Sequence, residues 1–203
     1  MATDAKGGWP SRPTRPAVPA KRRRPTAAEL EAARDRRVPD IVANDLDVLF
    51  CGINPGLWSG ALGHHFAHPG NRFWKVLHGA GFTPTVVDPA EDRRLLEFGL
   101  GITNLVPRVT ARASELGTDE LRAGGRSLAR KVRRLSPRAV AFVGIGAYRI
   151  ALKRPRAQVG EQPEAMGSSA VWALPNPSGL QAYYQMEDLV AAYAELRRSL
   201  RPD

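Results

Sequence analysis

The chain has 203 residues, with 30 Lys and Arg against 20 Asp and Glu, a formal charge of +10 and 43% hydrophobic residues, enough apolar material for one sizeable core. No apolar run approaches the ~18 residues of a membrane span, and the single cysteine, Cys51, excludes internal disulfides and a four-cysteine zinc or iron–sulfur site within one chain. These features predict a cytoplasmic protein, and the basic excess predicts a polyanionic partner, a nucleic acid.

Charge is concentrated at the start. Seven Lys or Arg (Lys6, Arg12, Arg15, Lys21, Arg22, Arg23, Arg24) oppose only Asp4, a balance of +6 that leaves +4 for residues 25–203. Residues 1–25 are rich in Pro, Arg, Gly and Ala without an apolar period, so they read as a disordered basic arm, and residues 26–203 as a single domain. A solubilising tail is the competing account of the arm. Thr26 to Arg37 is predicted to be a helix capped by Thr26. A strand follows over 47–53 (DVLFCGI) and breaks in Asn54-Pro55-Gly56, because proline cannot donate to a sheet ladder.

Helices are predicted over Asn71–Gly81, with Asn71 as cap, and Pro89–Phe98. Strand 101–106 (GITNLV) comes next. The helix Thr118–Leu135 has Thr118 as cap and Leu121, Leu128, Val132 and Leu135 on one face. Strand 139–145 (AVAFVGI) is continuously apolar, as strands buried on both faces are. Strand 170–176 (AVWALPN) and helix Met186–Leu200 close the chain. This alternation predicts an α/β layered domain around a mostly parallel, four-stranded sheet.

The first and last strands end alike, in Asn54-Pro55-Gly56 and Asn176-Pro177-Ser178-Gly179-Leu180. If the strands run parallel, both turns lie on the carboxyl rim of the sheet, where α/β proteins bind ligands. Two tight turns without a ligand would read the same. The blocks GINPG (52–56), FAHPGNRFWK (66–75) and LPNPSGL (174–180) resemble, in order, the mismatch-specific uracil/thymine DNA glycosylases of the uracil-DNA glycosylase superfamily. The resemblance covers roughly residues 45–200.

That resemblance implies a three-layer αβα domain acting on double-stranded DNA with a mispaired or damaged base. It implies a monofunctional glycosylase that flips uracil mispaired with guanine and hydrolyses the base–sugar bond, initiating base-excision repair. Thymine and modified pyrimidines are further candidate bases. Asn54 matches the residue that holds the attacking water, and Phe66 the aromatic that stacks on the flipped base, with Ile53 and Asn176 also at the base. Gly179 and Leu180 match the loop that enters the duplex. Lys21, Arg22, Arg23, Arg24 and Ser178 are expected at the DNA backbone. In the family a basic residue commonly follows the wedge, whereas Gln181 and Ala182 follow it here.

The chemistry suits these residues. Extruding a nucleotide costs least at a mismatch. Backbone N–H groups in the turns 52–56 and 67–70 could steady the departing uracil anion. Asn54, a neutral amide, orients water but cannot act as a base, so a slow enzyme is expected. An auxiliary acid would therefore help. Asp88, Glu91 and Asp92 start the helix predicted to begin near the same rim, and Asp92 is the favoured candidate; complementing the helix dipole is the plainer account of all three.

Other signals are weaker. His64, His65 and His68 lack an acid or cysteine beside them, so no metal is expected, and no cofactor. GIGAYR (144–149) resembles a dinucleotide fingerprint but follows the wrong strand. Ser59 reads as an exposed loop serine, Cys51 as a buried small residue, and Trp58 as either a lid or loop packing. The expected protein is a monomer, associated with the nucleoid. The alternative readings are a non-catalytic mismatch or abasic-site binding module of the same fold and, more distantly, a nucleotide-binding enzyme.

Overall fold

The computed structural model describes residues 23–179 and 183–200. Five strands, β1 (Val48–Gly52), β2 (Leu100–Asn104), β3 (Ala139–Val143), β4 (Gly160–Glu161) and β5 (Ala170–Leu174), form one sheet in the order β2-β1-β3-β5-β4. The four longer strands are all parallel, with Gly52 beside Asn104 and Val143 beside Leu174. Their carboxyl ends therefore share one rim.

Alternation divides each strand between two cores. Val48, Phe50, Ala141, Trp172 and Leu174 face one side, where they meet α3 (Phe73–Gly79) and α6 (Met186–Ser199). Leu49, Cys51, Val140, Phe142 and Ala173 face the other, against α4 (Thr118–Leu135) and α5 (Ile145–Ala151). Both faces are covered, which is why β1 and β3 are buried at every position. Phe50 anchors the first core edge-on to Phe73 at 5.6 Å and Phe82 at 5.5 Å, pairs that each add about 0.5–1.5 kcal/mol beyond area burial. The predicted three-layer αβα architecture is present, with five strands rather than four.

The other core depends on a close approach. Within α4, a Cβ on Gly124 would lie 2.3 Å from Leu105 O, and one on Gly125 2.8 Å from Ala151 O. The Gly-Gly pair lets the helix settle on backbone rather than on side chains. Gly124→Ala should therefore lower stability by about 1–3 kcal/mol, seen as a fall in Tm of roughly 2–4 °C per kcal/mol. Gly146→Ala, whose Cβ meets nothing within 4 Å, is the control; equal melting of both variants would refute the contact.

Several boundaries differ from expectation. The first helix, α1 (Ala27–Glu31), is shorter than Thr26–Arg37; its Thr26 cap is present as a full capping box with Glu29. Gly117, not Thr118, caps α4, so Thr118 is its first helical residue. Asn71 lies one residue before the cap Arg72, yet its Oδ1 accepts the Phe73 N–H at 2.9 Å. Residues 89–98 form two short 3-10 turns merged across a kink at Glu91, with Asp88 capping. Two α-helices, α2 (Leu57–Leu62) and α5, and the 3-10 turn Ala113–Glu115 have no counterpart among the predicted elements. The short antiparallel β4 was missed too.

Candidate active site

After β1 the chain leaves toward α3 on one face of the sheet, and after β3 it leaves toward α5 on the other. The crevice between such strands is where α/β sheets bind ligands. A cavity of about 790 Å³ opens there, within the size range of small-molecule sites. Ile53 follows β1, Asn104 ends β2, Val143 ends β3 and Asn176 lies just past β5; all four line it. Asn54, Phe66, Ser178 and Gly179 line it as well.

Asn54 is tied down through one end of its amide. Its Nδ2 donates to Thr110 Oγ1 at 2.7 Å, Pro55 O at 3.1 Å and Arg108 O at 3.2 Å. Thr110 Oγ1 gives its own proton to Arg112 O at 2.8 Å, so toward Asn54 it can only accept. Three acceptors thus fix which end of the amide is nitrogen. Oδ1 is left without a protein partner among the described residues, an acceptor available to a water proton.

Phe66 supplies a flat wall. Its ring stacks on Phe73 with centroids 4.0 Å apart and planes 23° from parallel. Its backbone sits at φ +50°, left-handed space that a bulky aromatic seldom occupies and that clusters at functional sites. Neighbours hold the surrounding loop. Ser59, buried rather than exposed, accepts the Ala67 N–H on Oγ at 3.3 Å. Gly70 N–H goes to His68 Nδ1 at 3.0 Å. Those two amides are therefore used inside the protein, which removes two of the donors the sequence offered to a departing anion.

Asp92 is only 4% exposed and does not line the cavity. Its Oδ2 accepts the His65 N–H at 3.0 Å, and its Oδ1 lies 3.4 Å from His64 Nδ1. In this position it steadies the segment leading into Phe66. Asp92→Asn, which keeps an acceptor for that N–H, should excise near the wild-type rate, while Asp92→Ala should cost about 1–3 kcal/mol of stability by orphaning a buried donor. Equal loss of single-turnover rate in both variants, with folding intact, would instead restore the auxiliary-acid role. Asp88 caps its turn through Ala90 N–H, and exposed Glu91 pairs with Arg94.

The three histidines engage different partners. His65 Nε2 lies 2.9 Å from Pro39 O, and burial pushes its pKa down, so it stays neutral with the proton on Nε2. Its Nδ1 then faces Asn104 Nδ2 at 3.5 Å. His64 turns to Asp92, and His68 lies edge-on to Trp58 with centroids 5.4 Å apart. Among the described residues no three His, Cys, Asp or Glu groups are placed to hold a metal ion.

Trp58, on α2, also borders a second cavity of about 980 Å³, and this is where Arg23 and Arg24 lie. Arg23 pairs with Glu29. Leu180, Lys21 and Arg22 lie outside the described residues. Asn176 Oδ1 accepts the Ser178 N–H at 2.9 Å, which shapes the turn after β5. A Cβ on Gly179 would stand 2.6 Å from Gly70 O, so this turn and the Phe66 loop touch. The sequence reading passed over Asn104, Thr110 and Arg72. Asn104 ends a strand parallel to β1, as Asn54 follows one.

Together these features define a doubly wound α/β protein whose rim pocket presents an aromatic face and a fixed amide oxygen. Residues 39–197 match the family model of the Uracil DNA glycosylase superfamily, and the chain belongs to that superfamily. A solution NMR structure of a candidate uracil DNA glycosylase from Methanosarcina acetivorans has the same fold, with a TM-score of 0.53 at 19% identity over 80% of this chain and 98% of that one. Membership of the superfamily indicates a DNA glycosylase, a hydrolase acting on DNA.

Proposed function

We propose that the chain is a monofunctional glycosylase that flips uracil mispaired with guanine out of duplex DNA and excises it, thymine and modified pyrimidines being the other bases to test. Water is the nucleophile: its oxygen bonds to the sugar C1′ as the C1′–N1 bond breaks, the base leaves with the bonding electrons, and the water's proton passes to base or solvent. The reaction takes no cofactor, and a monomer at the nucleoid suffices for it. The observation that carries this reading is the fixed Asn54 amide, its Oδ1 without a partner among the described residues, lining the same pocket as Phe66.

No carboxylate lines the pocket among the described residues. The water held by Asn54 therefore has no carboxylate beside it to take its proton, and turnover should be slow. The same fact favours the second reading, a module that binds mismatches without chemistry. A panel of duplexes holding uracil, thymine or a modified pyrimidine opposite guanine or adenine tests both. Alkali-labile sites at U·G, with no strand break before alkali, support the glycosylase. Duplexes intact after long incubation with excess enzyme would leave only the binding module.

A further inference from the structure

We propose that Arg72 is a positioning residue that clamps both stems of the loop between Ser178 and Tyr184 and joins that loop to the base-stacking wall. The inference rests on the glycosylase reading, in which this loop enters the duplex. Arg72 donates from Nε to Pro177 O at 3.3 Å, from Nη2 to Ser178 O at 3.2 Å and from Nη1 to Tyr184 O at 2.8 Å. Its backbone N–H also donates to Pro177 O, at 3.1 Å. One guanidinium thus spans the loop's start and its end.

Three carbonyls from two separate strands of chain need a rigid fork of donors. A lysine ammonium, a point charge on a flexible stem, cannot reproduce that geometry. The next residue, Phe73, lies under the Phe66 ring at 4.0 Å. Consecutive residues at the start of α3 therefore fix the loop and the aromatic wall to each other. A loop that replaces a base in the stack must be held before it meets DNA, since ordering it on binding would cost affinity and rate. The need is greatest where the target base is still paired, because extrusion is then costlier than at a mismatch.

Arg72→Lys tests this. Single-turnover excision should fall about tenfold at U·G and further at U·A, in line with the cost of misplaced positioning groups. Amide hydrogen exchange over residues 176–184 should quicken, and the slope of log K against log salt should stay as in the wild type, because the charge remains. Wild-type rates, equal losses in both duplexes, unchanged exchange or an altered salt slope would each overturn the clamp. If the variant does not fold, the wild-type chain still decides: the Arg72 Nε–H signal should exchange slowly in NMR, and rapid exchange refutes the proposal. If the wild type excises no base, the glycosylase reading falls, while the exchange measurements judge the clamp on their own.

Discussion

Asn54→Ala is expected to lower single-turnover excision of uracil by on the order of 10²–10³-fold, the range for losing one fixed polar group at a reacting centre. Affinity for the duplex should hardly change. The side chain contacts Pro55 O, Arg108 O and Thr110 Oγ1, all within the protein, and the role proposed for it is toward water rather than phosphate. Excision rates with enzyme in excess, set beside DNA affinity, separate the two effects; an unchanged rate would remove Asn54 from the chemistry.

The acceptors around Asn54 also constrain what can replace it. An aspartate in its place would aim an oxygen at two backbone carbonyls and at a hydroxyl whose proton goes to Arg112 O. Crowded acceptors disfavour the ionised form and raise the carboxylate pKa. Asn54→Asp should therefore fall short at neutral pH of the roughly 10²–10⁴-fold that a general base contributes, and its rate should climb with pH as the carboxyl ionises. A flat, fast profile would show that Thr110 turns to donate.

Much of this site was legible because strand ends are punctuated. Asn-Pro breaks after β1 and β5 needed only the rule that parallel strands share a carboxyl rim. Asn104 escaped because Leu105 and Val106 prolong the apolar run past the end of β2, hiding where the ladder stops. The six residues of α2, LWSGAL between Gly56 and Gly63, are too few and too rich in small residues to show a helical period. Gly144, at φ +131°, starts α5 with a turn that imitated a nucleotide fingerprint. Only two residues, Gly160 and Glu161, form β4, with no alternation to read. Thr110 and Arg72 act through partners 56 and 105 to 112 positions away in sequence, contacts that no local pattern encodes.

Phe66→Ala should reduce excision by roughly 10–10²-fold, the equivalent of about 1–3 kcal/mol of base stacking. One face of the ring is covered by Phe73, and the residue lines the cavity, so a flipped base has the ring to stack on. Loss of folding is the rival explanation, since the same ring packs on the core. The backbone angle separates them. At φ +50° alanine keeps the strain that phenylalanine bears, whereas glycine relieves it. Phe66→Gly should therefore match or exceed Phe66→Ala in Tm and still excise as poorly. Phe66→Leu, with apolar bulk but no aromatic face, should recover stability before activity. Excision that tracks Tm across the three variants would make Phe66 a packing residue; excision that stays low in all three, whatever their Tm, makes it the wall against which the base rests.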